Sequence, residues 1–293
     1  MKDIIFRGVG TAIATPFDEE NKINYNELKK FLEYQIESGV NSIIVCGTTG
    51  EASTMSQEEK NELIKYSAKV INKRIPLIAG VGSNDTKQVI NNAKFAEEIG
   101  VDGFLIVTPY YNKTTQEGLV EHYKVIAEST KLPIILYNVP SRTGVDIEPE
   151  TYLKLSKIKN IVATKEACGD ISKIAEIKSL CGDELNIYSG NDDQTIPIIS
   201  LGGIGIISVL SNVIPQYMSN MVNEYFYNDI HKATRMQLDA ITLIKSLFKE
   251  VNPIPVKAAL DIIGYNFGKP RLPLVECSED LKDELKANIL KLR

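Results

Sequence analysis

Tryptophan is absent from this chain of 293 residues, and histidine nearly so, with only His122 and His231. Neither histidine has a second His or Cys at ligand spacing, which disfavours a histidine-based zinc site; both are expected on surface positions of amphipathic helices. The four cysteines, Cys46, Cys168, Cys181 and Cys277, are scattered without a CxxC pair. Such usage fits a reducing compartment, and Cys46, inside an apolar run, reads as a small buried hydrophobe. Basic tracts and arginine-rich stripes are missing too, and the net charge is −5. Nucleic acid and anionic membrane are therefore not expected as partners. No apolar run approaches the roughly 20 residues that a membrane span needs. The segment from Met1 to Arg7 lacks the apolar stretch of a secretory signal, so a cytoplasmic location is expected.

What remains is ordinary globular material, 43% hydrophobic and 24% charged. A chain this long buries enough apolar surface to fold without a disulfide or a metal. Eight short β-branched runs read as strands: Val9–Thr15, Ser42–Gly47, Ile75–Val81, Gly103–Pro109, Pro133–Pro140, Asn160–Lys165, Leu185–Ser189 and Ile204–Val209. Most are almost continuously apolar, as a strand covered on both faces should be. Amphipathic stretches lie between them, at the spacing of βαβ units. Ser56-Gln57-Glu58-Glu59 has the form of a capping box before a helix through Val70. Asp85 and Thr86 open another helix, which Gly100 closes. Strand signals stop near Ile214; helices are expected over Pro215–Tyr227, Asp229–Lys249, Pro255–Ile263 and Ser278–Leu290. The expected fold class is α/β, a (β/α)8 TIM barrel over residues 1–225 with a C-terminal helical extension over 226–293. An open doubly wound sheet has a similar alternation and is not excluded by the strand count.

In a barrel of this kind the chemistry sits at the C-terminal ends of the strands. Three ends carry functional side chains. The sixth run closes on Lys165, which by period two shares a face with Ile161 and Ala163. If that face is the barrel interior, burial favours the neutral amine that attack on a ketone requires. A lysine snorkelling to solvent from the strand end fits the run equally well. The fifth run places Tyr137 near its tip, followed by Ser141-Arg142-Thr143-Gly144. A phenol can move protons beside such an amine, and an arginine fork suits a carboxylate; each residue alone also fits a structural role. The second run ends in Gly47-Thr48-Thr49-Gly50-Glu51, whose amides and hydroxyls could converge on a small anion or form a plain turn. Gly8-Val9-Gly10 and Gly202-Gly203-Ile204-Gly205 do not complete a dinucleotide fingerprint, and there is no phosphate-binding Walker motif.

Taken with the opening Gly10-Thr11-Ala12-Ile13-Ala14-Thr15-Pro16-Phe17, the pair Tyr110-Tyr111 before Asn112, and Lys165-Glu166, these segments run in order from end to end. The chain resembles the dihydrodipicolinate synthase and N-acetylneuraminate lyase superfamily, homotetrameric (β/α)8 barrels (dimers of dimers) that form a lysine–pyruvate imine. The resemblance implies Lys165 as the Schiff-base residue and Tyr137 as its proton relay. It implies Thr48 as the link between Tyr137 and Tyr111, the latter reaching in from a neighbouring subunit. It further implies that amides at Thr48 and Thr49 hold the pyruvate carboxylate, that Ile207 lines the pocket, and that Arg142 binds the carboxylate of a second substrate. The arginine of Ser-Arg-Thr-Gly and the first threonine of Gly-Thr-Thr-Gly favour the synthase branch over sialic-acid lyases. The implied reaction condenses pyruvate with L-aspartate 4-semialdehyde and cyclises the product on the diaminopimelate route to lysine, with no metal or cofactor. A lyase for another 2-oxo acid, a silent barrel that senses a small acid, and a metal-dependent aldolase are the alternatives. Relatives inhibited by lysine commonly carry histidines at Gln57 and Lys60 and a glutamate at Gln88, whereas Asn84 and Tyr110 are kept here. Weak or absent inhibition by lysine is therefore expected.

Overall fold

The computed structural model describes residues 2–292. Among the described residues eight strands are present where eight were expected: β1 (Gly8–Ala12), β2 (Ser42–Val45), β3 (Leu77–Gly80), β4 (Gly103–Val107), β5 (Ile134–Asn138), β6 (Ile161–Glu166), β7 (Asn186–Ser189) and β8 (Gly205–Ser208). Their order β1 to β8 closes into a barrel. Neighbouring strands pair in parallel, with Val107 beside Tyr137 and Glu166 beside Ser189. Nearly every strand residue is buried, which explains the unbroken apolar runs: each strand has a packed neighbour on both faces.

By contact the chain divides into two compact units. One joins the N-terminal residues through Arg7 to Pro76–Ile207; the other joins Gly8–Ile75 to the chain from Ser208 onward. In the first, Phe6 stacks on Tyr188 with ring centroids 4.4 Å apart. The Asp85 side chain caps the helix Thr86–Ile99 by accepting from the Lys87 N–H, and Gly100 ends it at φ 88°. In the second, Ser56 and Glu59 complete the expected capping box of the helix Gln57–Ile71. Asn212 fastens β1 by accepting from the Ala14 N–H and donating to the Ala12 carbonyl.

Two expectations need correction. The helix expected over Asp229–Lys249 is divided at Ala240 into Ile230–Asp239 and Ile241–Leu247. The Tyr217 hydroxyl donates to the Met236 carbonyl at 2.8 Å, drawing on an acceptor of the helical ladder just before the break. In the second of these helices Leu243, Ile244 and Leu247 are buried. His122 is not a surface residue. It lies on the buried side of the helix Gln116–Glu128, its Nδ1 2.8 Å from the Thr86 hydroxyl, while its Nε2 has no partner among the described residues. Burial lowers its pKa to about 4. His231 is exposed, as expected.

Candidate active site

Lys165 and Tyr137 occupy paired positions on neighbouring strands at their C-terminal ends. Adjacent residues of a strand point to opposite faces, so the partners of the flanking residues fix the direction of both side chains. Thr164 and Glu166 each reach the hydroxyl of Tyr152, on the helix Pro149–Ser156 that covers the outside of the sheet. Asn138, next to Tyr137, also turns outward to Glu166. Lys165 and Tyr137 therefore face the barrel interior. Both are buried, and the Lys165 ammonium lies 4.3 Å from the centroid of the Tyr137 ring. The solvent-facing reading of Lys165 is thereby removed. One detail of the period-two reading changes: Ile134 pairs with Ile161 but Ile135 with Ala163. The alternation is interrupted between Ile161 and Ala163, and only Ala163 keeps an unbroken relation to Lys165.

Behind this pair lies a polar cluster that the sequence did not announce. Glu166 accepts from the Tyr152 hydroxyl at 2.7 Å, the Asn138 amide at 2.8 Å and the Cys168 N–H at 3.0 Å. Asn138 gives its other amide hydrogen to Asp146 at 2.7 Å, and its oxygen accepts from the Ile147 N–H. Asp146 is in turn paired with Lys173. Burial raises the Glu166 pKa; the Tyr152 hydroxyl, the Lys173 charge, the Asn138 amide and the Cys168 N–H oppose that. Burial also pushes the Cys168 thiol up to about 12, so the cysteine nearest Lys165 in sequence is a poor nucleophile at neutral pH. Gly190 allows a close approach here: a side chain at its α-carbon would meet Ala167 at 2.7 Å and the Glu166 carbonyl at 2.8 Å.

Arg142 is exposed on the short helix Pro140–Thr143 that directly follows β5, and Gly144 ends that helix at φ 68°. Ile207 is fully buried in β8. Tyr111 is 92% exposed at φ 71°, in a tight turn where the Asn112 N–H donates to the Tyr110 carbonyl. A bulky residue is strained in that region of φ, and Tyr111 projects away from its own chain.

The Gly47–Glu51 turn belongs to the second unit. Thr49 is buried, and its hydroxyl accepts from the Asn252 amide at 3.0 Å; Thr48 is half-buried. Glu51, at φ 57°, anchors the turn to the helix Ile254–Ile262 and to the irregular chain after it: its carboxylate takes the Lys257 ammonium at 2.9 Å and the Arg271 N–H at 2.8 Å. Lys257 and the Arg271 guanidinium also lie over the Phe17 ring, at 4.3 and 4.2 Å. Arg271 pairs with Glu59 as well. Burial draws the Lys257 ammonium below its usual range and Glu51 opposes that. Lys257 and Glu51 are 206 residues apart, and the only sequence signal for the pair was two charges amid otherwise apolar or turn-forming residues. Among the described residues, no group of three His, Cys, Asp or Glu is placed to hold a metal ion, and no helix is long and apolar enough to cross a membrane.

Comparison with known proteins gives a consistent answer. The sequence model of the dihydrodipicolinate synthetase family matches residues 5–292. The chain is 53% identical over 285 residues to 4-hydroxy-tetrahydrodipicolinate synthase 1 of Clostridium acetobutylicum, with 97% of each chain covered. Among solved structures, dihydrodipicolinate synthase from Thermotoga maritima superposes with a TM-score of 0.95 at 44% identity, covering 98% of both chains. The chloride-inhibited enzyme from Acinetobacter baumannii, solved in complex with pyruvate, has a TM-score of 0.94 at 42% identity and the same coverage.

Proposed function

This chain belongs to the dihydrodipicolinate synthetase family, and from that membership we propose that it condenses pyruvate with L-aspartate 4-semialdehyde to 4-hydroxy-tetrahydrodipicolinate in lysine and diaminopimelate biosynthesis. It is a lyase of the class I aldolase type. The observation that carries the reading is the buried Lys165 amine beside the Tyr137 ring, on paired residues at two strand ends. The pyruvate in the Acinetobacter baumannii structure supports the first substrate, and the names of the relatives support the product.

Lys165 Nζ attacks the ketone carbon of pyruvate, and the carbinolamine loses water to give a protonated imine. Tyr137 carries the protons of these steps, with Thr48 and Tyr111 as the further hydroxyls of the relay. The imine withdraws electrons from the pyruvate methyl, which gives up a proton and becomes an enamine nucleophile. That carbon attacks the aldehyde of the second substrate, whose amine then displaces Lys165 and closes the ring. Amides at Thr48 and Thr49 hold the pyruvate carboxylate, Ile207 lines the pocket, and Arg142 takes the carboxylate of the semialdehyde. The protonated imine is the electron sink, so the chemistry calls for no metal or cofactor.

Tyr111 is supplied by a second copy of the chain, which suits its outward projection and its strained turn. The working form is a homotetramer, a dimer of dimers, in the cytoplasm. We assign residues 1–225 to the barrel and 226–293 to the helical extension, with Met1 and Arg293 outside the described residues. The direct test is turnover of pyruvate and L-aspartate 4-semialdehyde by the purified protein, with N-acetylneuraminate as the control substrate. Condensation by the parent and its loss in Lys165→Ala and Lys165→Arg are expected. Turnover by either variant at the parental rate would remove the imine mechanism, and cleavage of N-acetylneuraminate alone would move the chain to the lyase branch.

A further inference from the structure

We propose that Glu166 is a positioning residue for the condensation: from the outer face of the sheet it locks β5 and β6 together so that Tyr137 and Lys165 meet inside the barrel. This rests on Lys165 being the imine-forming residue. Tyr137 pairs with Lys165, and the next rung pairs Asn138 with Glu166. A strand alternates its faces, so successive rungs carry an inward pair and an outward pair in turn. The inward pair is the amine and the phenol. The outward pair is joined side chain to side chain, through the Asn138 amide and the Glu166 carboxylate at 2.8 Å.

That bond cannot slide. The Asn138 side chain makes three hydrogen bonds, to Glu166, Asp146 and the Ile147 N–H, which use both amide hydrogens and the oxygen. Glu166 accepts from three donors, and all of them are buried or half-buried. The third, the Tyr152 hydroxyl, lies 3.2 Å from the Thr164 hydroxyl, which can donate to it and so leave the Tyr152 proton for Glu166. Every partner of the carboxylate is thus a donor, the pattern that an ionised carboxylate satisfies in full. A buried polar network in which each member is satisfied holds one arrangement rather than several. β6 is also where the strand register shifts, between Ile161 and Ala163, so its tip needs a second restraint to keep a fixed rung against β5.

Tightening the tip matters because proton transfer and carbonyl attack depend on sub-ångström placement. A displacement of about 1 Å caused by a change far from the reacting atoms can cost about a hundredfold in rate. Glu166→Gln keeps the volume and an acceptor for Asn138 and Cys168 but sets an amide N–H against the Tyr152 hydroxyl. Tyr152→Phe removes the same bond from the other side, on a helix outside the barrel.

The experiment counts active sites by pyruvate-dependent borohydride reduction and expresses kcat per trapped site. In Glu166→Gln we expect trapping to go to completion, kcat per trapped site to fall roughly 10- to 100-fold, and the KM for each substrate to move far less. Tyr152→Phe should fall in the same direction by a smaller factor, and it carries the test alone should Glu166→Gln not fold. Glu166→Asp, which keeps the charge on a shorter stem, should recover less than the parental rate. If kcat per trapped site is parental in both Glu166→Gln and Tyr152→Phe, the cluster serves only folding and the proposal is wrong. If the parent itself traps no pyruvate, the imine reading fails instead, so the two failures are separate.

Discussion

Replacing Lys257 by methionine should destabilise the protein more than replacing Lys257 and Glu51 together. Lys257 and Glu51 form an ion pair at 2.9 Å with side chains only 2% and 1% exposed. Methionine matches the lysine stem in length but leaves the Glu51 carboxylate buried without its cation. Removing one partner of a buried pair costs about 3–5 kcal/mol, because the stranded charge cannot be hydrated. Glu51 keeps the Arg271 N–H at 2.8 Å, which places the expected loss at the lower end, about 3 kcal/mol. Adding Glu51→Gln removes the stranded charge, and the glutamine oxygen still accepts from Arg271. The double variant should then lose only about 1–2 kcal/mol. The assay is urea unfolding at one fixed protein concentration, with midpoints compared at unchanged slope. The KM for pyruvate should rise in the single variant, since Glu51 anchors the turn that carries Thr48 and Thr49. The reasoning is refuted if the double variant is less stable than Lys257→Met, or if Lys257→Met costs nothing measurable.

Other consequences follow from the same structure. His122 has a folded pKa of about 4 against an ordinary value of 6.5, so between those values the unfolded chain binds the extra proton. Its contribution to stability is intact above about pH 6.5 and is lost as pH falls toward 4, by up to about 3 kcal/mol. His122→Gln should flatten that part of the stability profile; an unchanged acid slope would show that His122 is not its source. Arg142→Ala should lower kcat/KM for the semialdehyde roughly 10- to 100-fold and leave the KM for pyruvate nearly alone, as loss of a bond to a charged group predicts. An effect confined to pyruvate would contradict the role given to Arg142. Saturating lysine should scarcely change initial rates, because Gln57 and Gln88 offer no acid to an incoming ammonium and Lys60 repels it. Strong inhibition would overturn this.

The strands were legible because a sheet covered on both faces selects unbroken β-branched runs, and all eight lie within the runs that the sequence marks, give or take a residue at each end. Lys165 and Tyr137 stood out for the same reason: each interrupts an apolar run at its tip. The partners that hold them were not legible. Glu166 enters only as the second residue of the Lys165-Glu166 segment, and nothing local shows that Tyr152 and Asn138 would satisfy it. Lys257 pairs with a residue 206 positions away, which only the tertiary fold brings together. His122 was misplaced because its burial depends on a neighbour distant in sequence: the helix turns it inward, where its Nδ1 meets the Thr86 hydroxyl. The break at Ala240 has no glycine or proline to mark it; a hydroxyl from Tyr217 in the preceding helix accompanies it.

The central claim is tested most directly by reducing the protein with borohydride in the presence and absence of pyruvate and mapping the modified peptide. A pyruvate-dependent adduct on Lys165, and on no other lysine, is predicted. Full reduction with no adduct, or an adduct placed on Lys257 or any other amine, would contradict it.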